Sequence, residues 1–446
     1  MAKKGATRRT VIGAAATAPA WLLAGTPPAH AQQRRRFDNV TLNIACWAAP
    51  YARFIGEYLP VFTEATGIKV NYDTPGFPIY NQRADLELST RGSAYDVLNV
   101  TFIYSSRWIG AGWFTPLDEF INDRSKTPES WNFADLLPGS VSPMKDRAGK
   151  VYGIPWVADV LMSGAGRFDL LRAQGLGMPN TFDELERAMA AVNGKDSLPA
   201  YIIENHYGWT FIPFLQGFGG NVFRNPPEDL YPTLDSAEAV AAAEYVGKLL
   251  RSYGPPQALG YDVDQATTAL RMGRVIYSNN NHAFLRLLGE QGSRAETTSN
   301  FGLMPAGPKG RFPGIASHGW GIPTGSRNKD AAWEFIKWAM SKELLDRMVA
   351  EKGYGSITRS SILNDPAYRR RTMLNGVDMT QLYIDTLAFA QQGHMKYRTV
   401  HVYPQANTQI TKAIERVVSG EMNARESMRQ AQQNTIADLR RSGVRL

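Results

Sequence analysis

A single cysteine, Cys46, stands in 446 residues. It excludes an internal disulfide and any zinc site built from several thiolates. Histidine is scarce too, six residues scattered at 30, 206, 282, 318, 394 and 401. His394 and His401 lie seven apart in HMKYRTVH, which does not suit a metal pair on a helix. The chain has no GxSxG, HExxH, phosphate-loop or paired CxxC motif. GFGGN, residues 217–221, lacks a phosphate-loop lysine and reads as glycines packing a helix on a sheet. Carboxylates are plentiful, but none forms a marked pair for acid–base work. No catalytic residue, metal ligand or cofactor is therefore expected. Internal repeats and low-complexity linkers are also absent, so any two lobes would share strands rather than hang on a tether.

What is present begins with the first 31 residues. Lys3, Lys4, Arg8 and Arg9 make a basic head, residues 11–25 are apolar and alanine-rich, and Ala29-His30-Ala31 has the small-x-small form of a cleavage site. That is the pattern of a secretory signal peptide cleaved near Ala31. Arg8-Arg9, between Thr7 and Val11-Ile12, resembles the twin-arginine type. The apolar stretch is short and broken by Pro19, which argues against a membrane span. Its removal takes four basic and no acidic residues, so the formal charge falls from +8 to +4. A balance that modest does not argue for nucleic acid, and Arg34-Arg35-Arg36 reads as a solvated tail.

The rest alternates strand and helix patterns. VTLNIACW, from Val40, has period two and predicts a first strand with a buried Cys46 thiol. FIGEYLPVFTEATG predicts a helix ending at Gly67, KVNYD a second strand, NQRADLELSTRG a helix and YDVLNVT a third strand. VYGIPWVADVLMSGAG, residues 151–166, is longer than most strands and predicts a passage between lobes. Thr181 and Asp235-Ser236 start two amphipathic helices. RVIYSNNN reads as a strand entering a polar loop, and FGLMPAGPKG as a strand entering a turn. NKDAAWEFIKWAMSKELLDRMVA predicts one long helix, and residues 411–441 two helices divided near Ser419-Gly420. Such alternation implies an α/β fold with mostly parallel sheets.

Several of these segments together resemble the extracellular solute-binding proteins of family 1, the maltose-binding-like receptors of ABC importers. YDVLNVTFIYSSRWIGAGWFTPLDEFI resembles the family's lobe-one strand and G-x-x-x-P-L-D turn. VYGIPWVADVLMSG is similar to its first interlobe crossing. ALRMGRVIYSNNNHAF resembles a lobe-two segment, and FGLMPAGPKG with SHGWGIPTGSRNKDAAWEFIKWAMS its P-x-P-x-G turn, G-G-W loop and following helix. The specificity lies in their order from Val40 to the C-terminus, not in any single motif. The resemblance implies two α/β lobes, 38–158 with 304–361 and 159–303 with 362–446, and a solute held in the cleft between them. It also implies a periplasmic monomer that delivers its cargo to membrane permease subunits.

A sugar offers a C–H face that stacks on rings and a hydroxyl rim that needs donors and acceptors. By resemblance and by position after strands, the expected contacts are Trp47, Tyr51, Tyr104, Asp159, Trp209, Asn280, His282, His318, Trp320 and Arg359. Trp320 is the strongest expectation, because Gly319 and Gly321 would let backbone approach a ligand and leave the indole without local cover. His318 replaces the family's first glycine and His282 a tryptophan, which points to a small polar solute such as a polyol or monosaccharide. The alternatives left open are a polyamine or other cation receptor of the same fold, a secreted carbohydrate-active enzyme, and a metal or iron receptor.

Overall fold

The computed structural model describes residues 37, 39–289, 291–352, 355–390 and 394–446. The export signal expected over residues 1–31 lies outside them. Among the described residues, no helix is long and apolar enough to cross a membrane.

Two sheets carry the molecule. The first is ordered β2-β1-β3-β11-β4, from β1 (Thr41–Ala45), β2 (Lys69–Asp73), β3 (Val97–Thr101), β4 (Ile154–Val160) and β11 (Ile315–Gly321). The second is ordered β10-β5-β9-β6, from β5 (Ser163–Arg167), β6 (Tyr201–Ile202), β9 (Tyr277–Asn280) and β10 (Ser299–Gly302). Two small hairpins, β7–β8 (Phe223–Asn225, Asp229–Pro232) and β12–β13 (Met373–Leu374, Val377–Asp378), lie outside them.

In each sheet one strand runs against its neighbours, β11 in the first and β5 in the second. Both are the first strands reached after the chain passes between sheets, from β4 to β5 and from β10 to β11. The cause is geometric. A chain that leaves one sheet at the carboxyl ends of its strands enters the other from that same side, and so must run backwards. The carboxyl ends of the remaining strands therefore face the interlobe cleft, where open α/β sheets bind ligands.

The local signals behave as their chemistry dictates. The helix Pro50–Thr66 has proline in its first turn and ends where Gly67 turns left-handed, φ 81°. Thr181 closes a capping box with Glu184, and Ser236, not Asp235, caps the helix Ala237–Tyr253. Gly420, φ 79°, separates the helices Tyr403–Ser419 and Ala424–Arg441. Gly217 packs against the Phe182 ring and Gly307, where a Cβ would collide. Cys46 follows β1 directly, fully buried against the Tyr72 hydroxyl at 3.1 Å, and burial pushes its thiol up to about 12.

Two expectations need correction. The single helix expected over residues 328–350 is broken into Lys329–Ala339 and Lys342–Lys352, because the Ser341 hydroxyl accepts from the Leu344 amide and so starts a new helix. The asparagines of RVIYSNNN are not in a polar loop. Asn279 and Asn280 lie on buried β9, and Asn281 caps the short helix His282–Leu285.

The core divides as the sheets do. The first sheet has one apolar cluster with Trp156, Trp320, Trp333 and Phe335 and another with Leu98, Val100, Trp108 and Met144, and the second sheet has one with Tyr201, Phe214, Tyr277 and Ile410.

Candidate functional site in the interlobe cleft

β1 and β3 end in residues that meet β11. The Trp47 indole donates to Nδ1 of His318 at 3.3 Å. Asn99 of β3 lies 3.4 Å from the same nitrogen and accepts the Trp156 indole proton at 2.9 Å. A donor at Nδ1 leaves the proton of neutral His318 on Nε2. Burial pushes this imidazole down to about 3, so it is uncharged. Phe77 and Phe102 set their edges against its ring, with centroids 6.2 and 5.4 Å away. Strand alternation puts Thr101 on the face of Asn99.

The second lobe closes this box from the end of β6. The Trp209 ring lies 5.5 Å from Phe102 and 6.2 Å from Phe77, both of the first lobe. Its indole proton goes to Oε1 of Glu204 at 2.9 Å, and His206 packs at 4.9 Å. Glu204 is 3% exposed. Burial raises its carboxyl to about 7, opposed by the Trp209 hydrogen bond and reinforced by Asp262 and Asp264. Three buried polar atoms around the box have no protein partner: Oε2 of Glu204, Nδ1 of His206 and Oγ1 of Thr101.

Beside the box the lobes share a polar knot. Oδ2 of Asp159 accepts the Tyr51 hydroxyl at 2.8 Å, Oδ1 accepts the Ser356 hydroxyl, and the Asn281 amide makes a further bond. Burial raises the Asp159 carboxyl, and those three partners oppose the shift. Tyr51 also stacks on Phe284 of the second lobe, 6.4 Å away. Along the cleft mouth a cavity of about 580 Å³ runs from Ala52, Arg53 and Glu57 of one lobe to Asp264 of the other.

Of the ten expected contacts, Trp47, Trp209 and His318 come together in the box, and Tyr51 and Asp159 in the knot. Tyr104 is half-buried and stacks on Trp108 at 5.3 Å. Asn280 turns its side chain onto the Asn281 amide at 2.6 Å. His282, pushed by burial down to about 3, faces Tyr383 at 5.6 Å. Two expectations are overturned. Trp320 is 0% exposed, stacked on Trp156 at 4.9 Å and edge-on to Phe335 at 5.6 Å. Its glycines serve the opposite face of β11: a Cβ at Gly319 would strike Met144, and one at Gly321 would strike Val100 and Phe114. Arg359 is likewise interior. It donates to the carbonyls of Met340 and Asn132, pairs with Asp135 at 3.3 Å and covers the Trp131 ring.

The sequence reading passed over Phe77, Asn99, Thr101, Phe102, Trp156, Glu204 and His206. The rule that ligands gather at carboxyl ends of strands would have found Glu204 and His206, which follow the two residues of β6 almost at once. Among the described residues, no group of three or more histidine, cysteine, aspartate or glutamate side chains is placed to hold a metal ion.

Comparison with known proteins agrees with this geometry. The family model for bacterial extracellular solute-binding proteins matches residues 48–344. The mannitol-binding protein of Pseudomonas aeruginosa is 24% identical over 379 residues, 82% of this chain and 85% of its own. The erythritol/L-threitol-binding protein of Mycolicibacterium smegmatis is 25% identical over 358 residues, 75% of this chain and 74% of its own. An ABC transporter solute-binding protein of Agrobacterium radiobacter, solved in complex with ribitol, superposes with a TM-score of 0.80 at 19% identity, covering 90% of this chain and 98% of that one.

Proposed function

Since the chain belongs to the bacterial extracellular solute-binding proteins, we propose that it is the periplasmic receptor of an ABC importer whose cargo is an acyclic polyol or small sugar. The observation that carries this reading is the ring box of Trp47, Phe77, Phe102, Trp209 and His318, with unpartnered polar atoms buried at its edge. Rings cover C–H faces, and the unpartnered atoms on Glu204, His206 and Thr101 suit hydroxyls. The box is drawn from both lobes, so a bound cargo bridges them and favours closure, the form that docks on the permease. The relatives named for mannitol and for erythritol or threitol, and the ribitol complex, support a cargo of four to six carbons. On this reading the protein binds without turnover, works as a monomer, and leaves the cytoplasm by the twin-arginine route with cleavage near Ala31. The lobes divide near 158/159, 303/304 and 361/362.

A second reading, a cationic cargo, is favoured by one observation: Asp262 and Asp264 act electrostatically on Glu204 beside Trp209. Asp262 is, however, engaged as a helix cap, and Asp264 faces Arg53.

A thermal-shift screen of the protein beginning at residue 32 separates these. Mannitol, ribitol, erythritol, maltose, putrescine and spermidine are the probes. A ligand at one hundred times its Kd stabilises by about 2.7 kcal/mol, which is visible in Tm. A shift with a polyol or sugar that is recovered unchanged supports the receptor. A shift with amines alone replaces the cargo class, and consumption of the sugar revives an enzyme.

A further inference from the structure

The cleft holds a buried carboxylate, Glu204, whose bonds the protein does not complete. Glu204 is fixed by its neighbours: Oε1 is held by the Trp209 indole, and its backbone carbonyl accepts from the Thr210 hydroxyl and the His206 amide. Oε2 is buried and unpartnered. A half-satisfied buried carboxylate is costly. It persists where a ligand completes it. The second, independent observation is where it sits. The indole it holds is the second lobe's ring against Phe77 and Phe102 of the first, so Glu204 stands at the seam that a bridging cargo occupies.

We propose, resting on the polyol reading above, that Glu204 is the specificity-determining acceptor of the cleft: Oε2 takes a hydroxyl proton of the cargo in a hydrogen bond, while Oε1 fixes the indole on which the carbon chain lies. Hydroxyls at one carbon end are then read jointly, one by the carboxylate and the next by His206 beside it, with Thr101 offered from the first lobe. An analogue lacking the hydroxyl at Oε2 leaves a buried acceptor unpaired and is rejected.

This bond needs an ionised acceptor, so binding is linked to a proton. Glu204 titrates at about 7. The charged and titratable groups facing it are Asp262 and Asp264 on the helix Val263–Arg271, His206 in its own turn, Arg53 across the cleft opposite Asp264, and Glu415, which bonds the neighbouring Asn205. The two aspartates and the burial favour the protonated form. A cargo hydroxyl favours the carboxylate. Binding therefore weakens as pH falls.

The experiment is calorimetric titration of the wild-type protein with mannitol, ribitol and erythritol from pH 5.5 to 8.5, beside Glu204→Gln and Glu204→Asp. Below about pH 7 the wild-type Kd is expected to rise toward tenfold per pH unit, the limit for one linked proton. Glu204→Gln keeps an acceptor for the Trp209 indole but cannot ionise. It should bind roughly ten- to a hundredfold more weakly at pH 8.5, with a flat profile that meets the wild type at pH 5.5. Glu204→Asp should bind weakly yet keep the slope. A flat wild-type profile overturns the inference without any variant, as does a Glu204→Gln profile parallel to the wild type. A wild type that binds none of the three polyols overturns this inference, and the proposed function with it where the thermal-shift screen finds no sugar either, whereas polyol binding that ignores Glu204 overturns only the inference.

Discussion

Replacing Trp320 tests whether its indole belongs to the core or to the cargo. The side chain is 0% exposed, stacked on Trp156 and edge-on to Phe335. Truncation to alanine leaves a large cavity between β11 and the helix Lys329–Ala339, and the sheet cannot collapse into it because Gly319 and Gly321 already touch the other side. Deleting a buried tryptophan costs about 3–5 kcal/mol. At about 2–4 °C per kcal/mol for a unit of lobe size, Tm falls by roughly 6–20 °C. Trp320→Phe should be milder than Trp320→Ala, since part of the ring contact persists and the indole nitrogen has no partner to lose. Guanidinium unfolding followed by circular dichroism measures the stability, and calorimetry with the cargo measures affinity. Both variants should bind within about threefold of the wild type once folded, as expected of a contact that does not touch ligand. A Trp320→Ala protein of near wild-type stability that has lost its affinity would refute this reasoning and restore the indole as a ligand surface.

Trp209→Ala should behave in the opposite way, losing at least tenfold in affinity while Tm changes little, because its ring is only half-buried and faces the other lobe. Glu204→Gln should stabilise the unliganded protein at pH 8. The folded carboxyl is raised from 4.5 to about 7, so the folded state holds more protons than the unfolded state in that window and stability falls as pH rises through it. The full effect is roughly 3 kcal/mol, read as Tm against pH. His318 has the reverse sign. Its folded value is pushed from 6.5 down to about 3, so the unfolded state takes the proton first and stability falls as pH drops below about 6.5. Melting curves of His318→Gln should lose part of that acid slope. Arg359→Ala should destabilise, by at most about 3–5 kcal/mol, since buried Asp135 loses its counter-charge but keeps its bonds from Ser360 and Ser361, with calorimetric affinity unchanged in the folded fraction.

Much of the fold was legible because its signals are local. Period-two alternation gave β1, Gly67 and Gly420 gave helix ends, and Thr181 gave a start. What the sequence could not show was which neighbours a side chain meets. The residues around β11 make the point: His318 and Trp320 are two apart and share one face of the strand, both against Trp156. What separates them is depth: His318 pairs with Thr101 at the cleft end of β3, and Trp320 pairs with Asn99, two residues further in. His318 meets Trp47 and the box, and Trp320 meets Phe335 in the core. Flanking glycines signal a close approach of something, but not of what; here it is Met144, Val100 and Phe114. Arg359 was misread for a similar reason. Its partners Asn132 and Asp135 lie more than two hundred residues away in the chain, where no local pattern reaches. Glu204 went unremarked because it sits beside a conspicuous aromatic, Trp209.

Asp159 shows how hinge and cargo chemistry divide within one cleft. Its two oxygens receive the hydroxyls of Tyr51 and Ser356 and the amide of Asn281. These come from the helix after β1, from the segment after Lys342–Lys352, and from the end of β9. The carboxylate thus ties the β4 crossing to both lobes, and protein donors already occupy it. Glu204 has the complementary accounting, with one oxygen tied and one free. A completed buried carboxylate sets geometry, because breaking any one bond strands the others. An incomplete one accepts what arrives. The aspartate that the crossing motif singled out therefore fixes where the lobes meet, and the glutamate beyond β6 is placed to sense what lies between them.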